Sequence, residues 1–128
     1  MNAQDSKTTT IEFRKVYLSD LKAVINIYQK INMERTAKEL TSDFGLPLSV
    51  AIDNNEVIGV AFASINELGK VVLNAQVVKR VEDAAIGNRL ESQAENILHS
   101  TFENIRKDHT PLKNSIQQLV SWLNKCAN

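Results

Sequence analysis

Cysteine is almost missing from this chain: its 128 residues hold one, Cys126, which has no internal partner for a disulfide. With His99 and His109 as the only histidines, no zinc-ligand spacing exists, which removes metal chemistry by the Cys/His route. An excess of one charge is missing too. Fifteen Lys+Arg balance fifteen Asp+Glu, so there is no long-range field to hold a polyanion, and neither nucleic acid nor an anionic membrane is an expected partner. No apolar run approaches the ~20 residues needed to span a bilayer, and Met1 to Thr10 is polar rather than signal-like, so a cytoplasmic protein is expected. Glycine is scarce, with four residues, and neither G-x-G-x-x-G nor G-x-x-x-x-G-K-[ST] occurs, which leaves nucleotide hydrolysis unsupported. There is no G-x-S-x-G to expose a nucleophilic serine. Cys126 lies near the chain end with no motif around it and is read as a packing residue.

What is present is 43% apolar residues in a length that fits one domain of roughly 100–150 residues. Residues 1–10 have nothing to bury and read as a disordered arm, with a single domain over 11–128. Ile11 to Val16 starts with alternation and predicts a strand. From Ser19, the residues Leu21, Val24, Ile25, Tyr28 and Ile31 recur at helical spacing, with Ser19 or Asp20 as the cap. Thr36-Ala37-Lys38-Glu39 is a capping-box pattern that predicts a short second helix, stopped by Gly45 and Pro47. Leu48 to Ile52, the turn Asp53-Asn54-Asn55 and the β-rich run from Val57 to Ile65 predict a hairpin. Leu68-Gly69 marks a further turn before Lys70 to Val78, so three strands form an antiparallel meander with its central strands buried. Helical period returns at Asp83, with Ile86, Leu90, Ala94, Ile97 and Leu98 on one face; Phe102 and Ile105 extend it, predicting one helix to about Lys107. A break at His99-Ser100-Thr101 followed by a strand is the alternative. Thr110-Pro111 caps a final helix whose stripe is Leu112, Ile116, Leu119 and Leu123. The fold class is α/β in the broad α+β sense.

This order of elements resembles the opening two thirds of the GCN5-related N-acetyltransferase family (GNAT). Ile11 to Val16 followed by Ser19-Asp20-Leu21 is similar to the family's first strand and the acidic-Leu start of its first helix. Val50 to Ala61, with Val57-Ile58-Gly59, resembles its hairpin leading to a Val-x-Gly strand. The family's Q/R-x-x-G-x-G/A motif falls on Glu82-Asp83-Ala84-Ala85-Ile86-Gly87, where Gly87 matches. The resemblance covers about Ile11 to Leu98, and the family's later strands have no counterpart in a C-terminal part that reads as helix. It implies a mixed sheet around an antiparallel meander, and a notch for acetyl-CoA. Ala75 and Val77 would offer backbone groups to the pantetheine arm, and Ala85, Ile86, Gly87 and Asn88 would offer N–H groups to the pyrophosphate at a helix N-terminus. Lys79, Arg80 and Arg89 would offset the carboxylates of Glu82 and Asp83, which otherwise repel the anion and read equally as helix-start caps. The implied activity is acetyl transfer to a primary amine.

No catalytic acid or base is named. The tyrosine that often serves the family as acid has Val120 at the matching Leu119-Val120 pair, and the Trp122 indole can only donate. Tyr28 fits its helix's apolar stripe, Tyr17 has no assigned role, and His99 and His109 read as solvated or capping residues. Asn74 and Gln76 would approach a ligand if the sheet splays, or mark the less buried face of their strand. The isolated glycines 45, 59, 69 and 87 read as a helix stop, close packing, a turn and a tight backbone approach. The alternative function is a non-catalytic GNAT-like module used for protein association. Leu119, Trp122 and Leu123 exceed what one small sheet buries, so a homodimer through the C-terminal helix is expected.

Overall fold

The computed structural model describes residues 11–31, 44–78 and 84–126. The N-terminal arm and the short helix expected from Thr36 lie outside these described residues. The described elements are β1 (Glu12–Lys15), a 3-10 turn (Leu18–Asp20), α1 (Leu21–Ile31), β2 (Leu46–Asp53), β3 (Glu56–Ile65), β4 (Val71–Val77), α2 (Ala84–Thr101) and α3 (Thr110–Cys126). The strands form one sheet in the order β1-β2-β3-β4. Every neighbouring pair is antiparallel. The fold is therefore α+β, four antiparallel strands with three helices among the described residues; the pairs described include none of the parallel ones a mixed sheet would add.

Local chemistry explains the connections. Asn54 and Asn55 take φ of 53° and 66° between β2 and β3, the left-handed pair that a two-residue hairpin turn demands and that asparagine tolerates. At the next turn the Asn66 side chain accepts from the N–H groups of Leu68 and Lys70. Before α1, Asp20 reaches back to accept from the Tyr17 N–H at 2.8 Å. Asp20 also accepts from both terminal nitrogens of Arg14, at 2.8 and 3.1 Å. Neither expected cap takes the N-cap position, which is Tyr17; Asp20 is the third residue of the 3-10 turn and bonds back to it, and the Arg14–Asp20 pair ties β1 to the start of α1.

The sheet's two faces differ in side-chain size. Register places Ser49, Ala51, Gly59, Ala61, Ala63 and Ala75 on one face, and small residues there let α2 lie close. A Cβ on Gly59 would stand 2.9 Å from Leu90 Cδ1 and 3.3 Å from the Gln76 carbonyl oxygen. The Ser49 hydroxyl donates to the Leu90 carbonyl at 2.9 Å. The opposite face carries Val50, Val60 and Phe62. Phe62 and Phe44 meet Tyr28 of α1 edge-on, at ring separations of 5.9 and 5.0 Å. Tyr28 thus packs, as its periodicity implied. In α1 the stripe shifts slightly: Leu21, Val24 and Ile27 are buried, while Ile25 is half-buried.

Two helix expectations are corrected. The helix starting near Asp83 does not run to Lys107; α2 ends at Thr101, and residues 102–107 form turns rather than a strand. The Phe102 N–H still bonds the Leu98 carbonyl, but the Ile105 N–H bonds Phe102 and so tightens to a turn that buries Ile105. In α3, Thr110 is the first helical residue, and the capping group is Asp108, whose carboxylate accepts from the Thr110 N–H. That bond holds Asp108 below the usual carboxylate range. The buried stripe of α3 is Leu112, Ile116, Val120 and Leu123, with Leu119 half-buried. Leu123 belongs to the chain's own core, and Trp122, 47% exposed, is what remains outside it.

Candidate functional site

β4 is the last strand of the sheet among the described residues, and its outer side carries two of the residues singled out in the sequence, Ala75 and Val77. The Val78 N–H donates to the Ile58 carbonyl and the Asn66 N–H to the Lys70 carbonyl, both at 2.9 Å. Register from Gly59↔Val77 to Ile65↔Val71 runs without a shift. Hydrogen-bonded pairs of an antiparallel ladder recur at every second residue, so Val72, Asn74 and Gln76 turn their backbone groups toward β3. Val71, Leu73, Ala75 and Val77 turn theirs to the open side. No turn, loop or cap bond among the described residues takes up those outward groups.

The start of α2 lies beside this edge. Ile86 is buried and acts as the first core residue of the helix, while Ala85 and Asn88 are exposed. Gly87 faces β4: a Cβ placed on it would have Ala75 Cβ, at 4.0 Å, as its nearest neighbour. That is ordinary contact distance, so Gly87 is not the tight backbone approach expected of it; the tight approaches are at Gly45, where a Cβ would stand 2.6 Å from the Ala63 carbonyl oxygen, and at Gly59. Helix geometry commits the Asn88 N–H to the carbonyl four residues back, whereas the N–H groups of the first turn have no such acceptor within the helix. Arg89 turns the other way, its guanidinium 4.5 Å over the Phe13 ring at the β1 side of the sheet. Lys79, Arg80, Glu82 and Asp83 lie outside the described residues.

Asn74 and Gln76, which shared one reading, have different environments. Asn74 is exposed, whereas Gln76 is only 8% exposed, opposite Val60 on the face that α1 covers, and its Oε1 has no hydrogen-bond partner among the described residues. Gln76 is therefore no marker of a solvated face. Sequence reading had no signal for this, because one polar residue in a strand looks the same on either face.

A concavity of about 290 Å³ lies at the other end of β4, lined by Val71, Leu73, Leu98, His99, Ile105 and His109, among others. His109 Nδ1 is 3.0 Å from the Gly69 carbonyl, which ties the segment before α3 to the β3–β4 turn when that nitrogen carries the proton. His99 stands 4.0 Å from Glu95 one turn earlier. Tyr17 is exposed under the Arg14 guanidinium, 4.4 Å from ring centre. Neither histidine is paired with a nucleophile, so no catalytic pair is assembled among these residues. The described residues contain no group of three or more His, Cys, Asp or Glu placed to hold a metal ion. No described helix is long and apolar enough to cross a membrane. No protein-family model matches the chain, and a search of curated proteins finds no match.

Proposed function

We propose that the notch between the outer edge of β4 and the first turn of α2 binds acyl-CoA and that the protein is a GNAT-like N-acetyltransferase acting on a primary amine. The observation that carries this reading is the outward phase of Ala75 and Val77 on an open edge, with Gly87 across from Ala75. A pantetheine arm is a chain of amides, and an open strand edge offers it the alternating donors and acceptors it would otherwise take from water. The N–H group of Ile86 in the first helical turn, beside the small Gly87, suits a pyrophosphate. In the reaction the amine nitrogen attacks the thioester carbonyl carbon, a C–N bond forms, the C–S bond breaks, the nitrogen gives up a proton and the departing thiolate takes one. Backbone groups of Ala75 and Val77 would orient the thioester. Calorimetric titration with acetyl-CoA tests the reading: binding that Gly87→Val abolishes is expected, whereas no heat and no thermal shift at millimolar coenzyme overturns it.

A second reading, a non-catalytic module for protein association, draws on different features. On the resemblance, Val120 would take the place of the family's tyrosine acid, and the outer face of α3 presents Trp122 amid Asn114, Gln117, Gln118 and Ser121. Homodimerisation through the C-terminal helix would use this surface. Dissociation of a native dimer by Trp122→Glu, with the fold retained, is its expected signature.

A further inference from the structure

The sheet's two edges are built differently. β1 is four residues long and reads Glu-Phe-Arg-Lys, so three of its four side chains are charged, the usual protection of an edge against foreign strands. β4 runs seven residues, Val-Val-Leu-Asn-Ala-Gln-Val, with no charge, no proline and no bulge against β3. Its outward N–H and C=O groups belong to Val71, Leu73, Ala75 and Val77.

We propose that the open edge of β4 pairs antiparallel with β4 of a second copy about a two-fold axis at Asn74, making one continuous sheet across the dimer. One register satisfies every outward group. It sets Val71 against Val77 of the partner subunit and Leu73 against Ala75 of the partner subunit, and the two-fold repeats both pairs. Shifting the centre to any neighbouring residue leaves some outward groups without a strand opposite. Side chains agree with the same register. On the α2 face the pairs are apolar with apolar, and Val77 of the partner subunit comes to the end of β4 where Val71 and Leu73 line the 290 Å³ concavity. On the other face Asn74 meets Asn74 of the partner subunit in a close, non-hydrogen-bonded pair, where two exposed amides can bond to each other. A second copy suits this edge better than a charged peptide, since β4 offers no charged side chain along the pairing lane.

The dimer rests on the geometry of β4 and not on the coenzyme reading. It does take the outward groups of Ala75 and Val77, so the paired edge and a bound pantetheine arm exclude one another.

Sedimentation of the native chain, alone and with charge variants at the centre, tests the proposal. The native protein is expected to be a dimer at micromolar concentration. Asn74→Asp and Asn74→Lys, both at an exposed position, each bring like charges together across the axis and weaken dimerisation by roughly tenfold or more. Mixing the two variants in equal amounts restores the dimer, which a merely structural effect of either substitution would not do. Leu73→Pro removes one outward donor without touching the β3 ladder and also weakens it. A native chain that stays monomeric at high micromolar concentration overturns the proposal. A dimer indifferent to Asn74→Asp and Leu73→Pro also overturns it, and if Trp122→Glu then dissociates that dimer, the axis runs through α3. Acetyl-CoA, if it binds, drives the dimer to monomer, and binding that leaves the dimer intact overturns this register. Absence of coenzyme binding sinks the acetyltransferase reading and leaves the dimer standing.

Discussion

The Ser49 hydroxyl and the Leu90 carbonyl meet at 2.9 Å in the middle of the contact between β2 and α2, with both residues fully buried. This bond joins the sheet centre to α2 one turn after Gly87, and so helps set where the helix start lies relative to β4.

Ser49→Ala keeps the small volume and removes only the bond, since the Leu90 carbonyl retains its place in the helix ladder. A loss of about 1 kcal/mol is expected, read as a lower urea midpoint with an unchanged slope. Ser49→Val adds bulk under the helix and should lose more.

Glycine substitution should have opposite signs at two positions. Gly59→Ala forces a methyl against Leu90 and the Gln76 carbonyl, at a cost of about 1–3 kcal/mol. Gly87→Ala has room for its methyl and removes a glycine from a helix, so a gain of about 0.5–1 kcal/mol is expected. Thermal unfolding of the two variants checks both signs.

Acid stability should depend on Asp20. Hydrogen bonds from Arg14, ahead of the opposing effect of burial and then the Tyr17 N–H, hold its carboxyl below the usual carboxylate range. A carboxylate lowered on folding contributes stability that is fully present above its unfolded pKa and is lost as pH falls through its folded one. The window therefore lies below about pH 4. Asp20→Asn should cost about 2 kcal/mol at neutral pH and flatten the acid limb of stability against pH. An unchanged acid limb would contradict the assignment.

Neighbouring residues of α3 should behave differently. Leu123 is 7% exposed and Trp122 is 47% exposed, so Leu123→Ala should cost about 2–5 kcal/mol. Trp122→Glu should leave monomer stability within about 0.5 kcal/mol. General unfolding by Trp122→Glu would place that residue in the core.

Much of the chain's local structure was legible from periodicity. The strand from Ile11, the Asn54-Asn55 hairpin, the Leu68-Gly69 turn and the helices starting near Asp83 and Thr110 follow from short-range rules of backbone geometry and apolar spacing. The end of α2 did not follow, because Phe102 and Ile105 keep helical spacing even though a turn can bury the same side chains. At the candidate site, Ala75, Val77 and Gly87 were placed together by resemblance, while the burial of Gln76 and the departure of Arg89 toward Phe13 carried no sequence signal.

The sequence by itself determined the elements, the turn chemistry and an alternation of small with large residues along β2 and β3, since each depends on neighbours a few positions away. Tertiary structure decided which face takes which helix, which partner each β4 backbone group has, and that β4 is an edge at all. Those outcomes depend on pairing register and on packing between residues distant in sequence: Val78 bonding Ile58 fixes the phase that turns Ala75 and Val77 outward, and Gly59 admits Leu90 only once β3 and α2 have met.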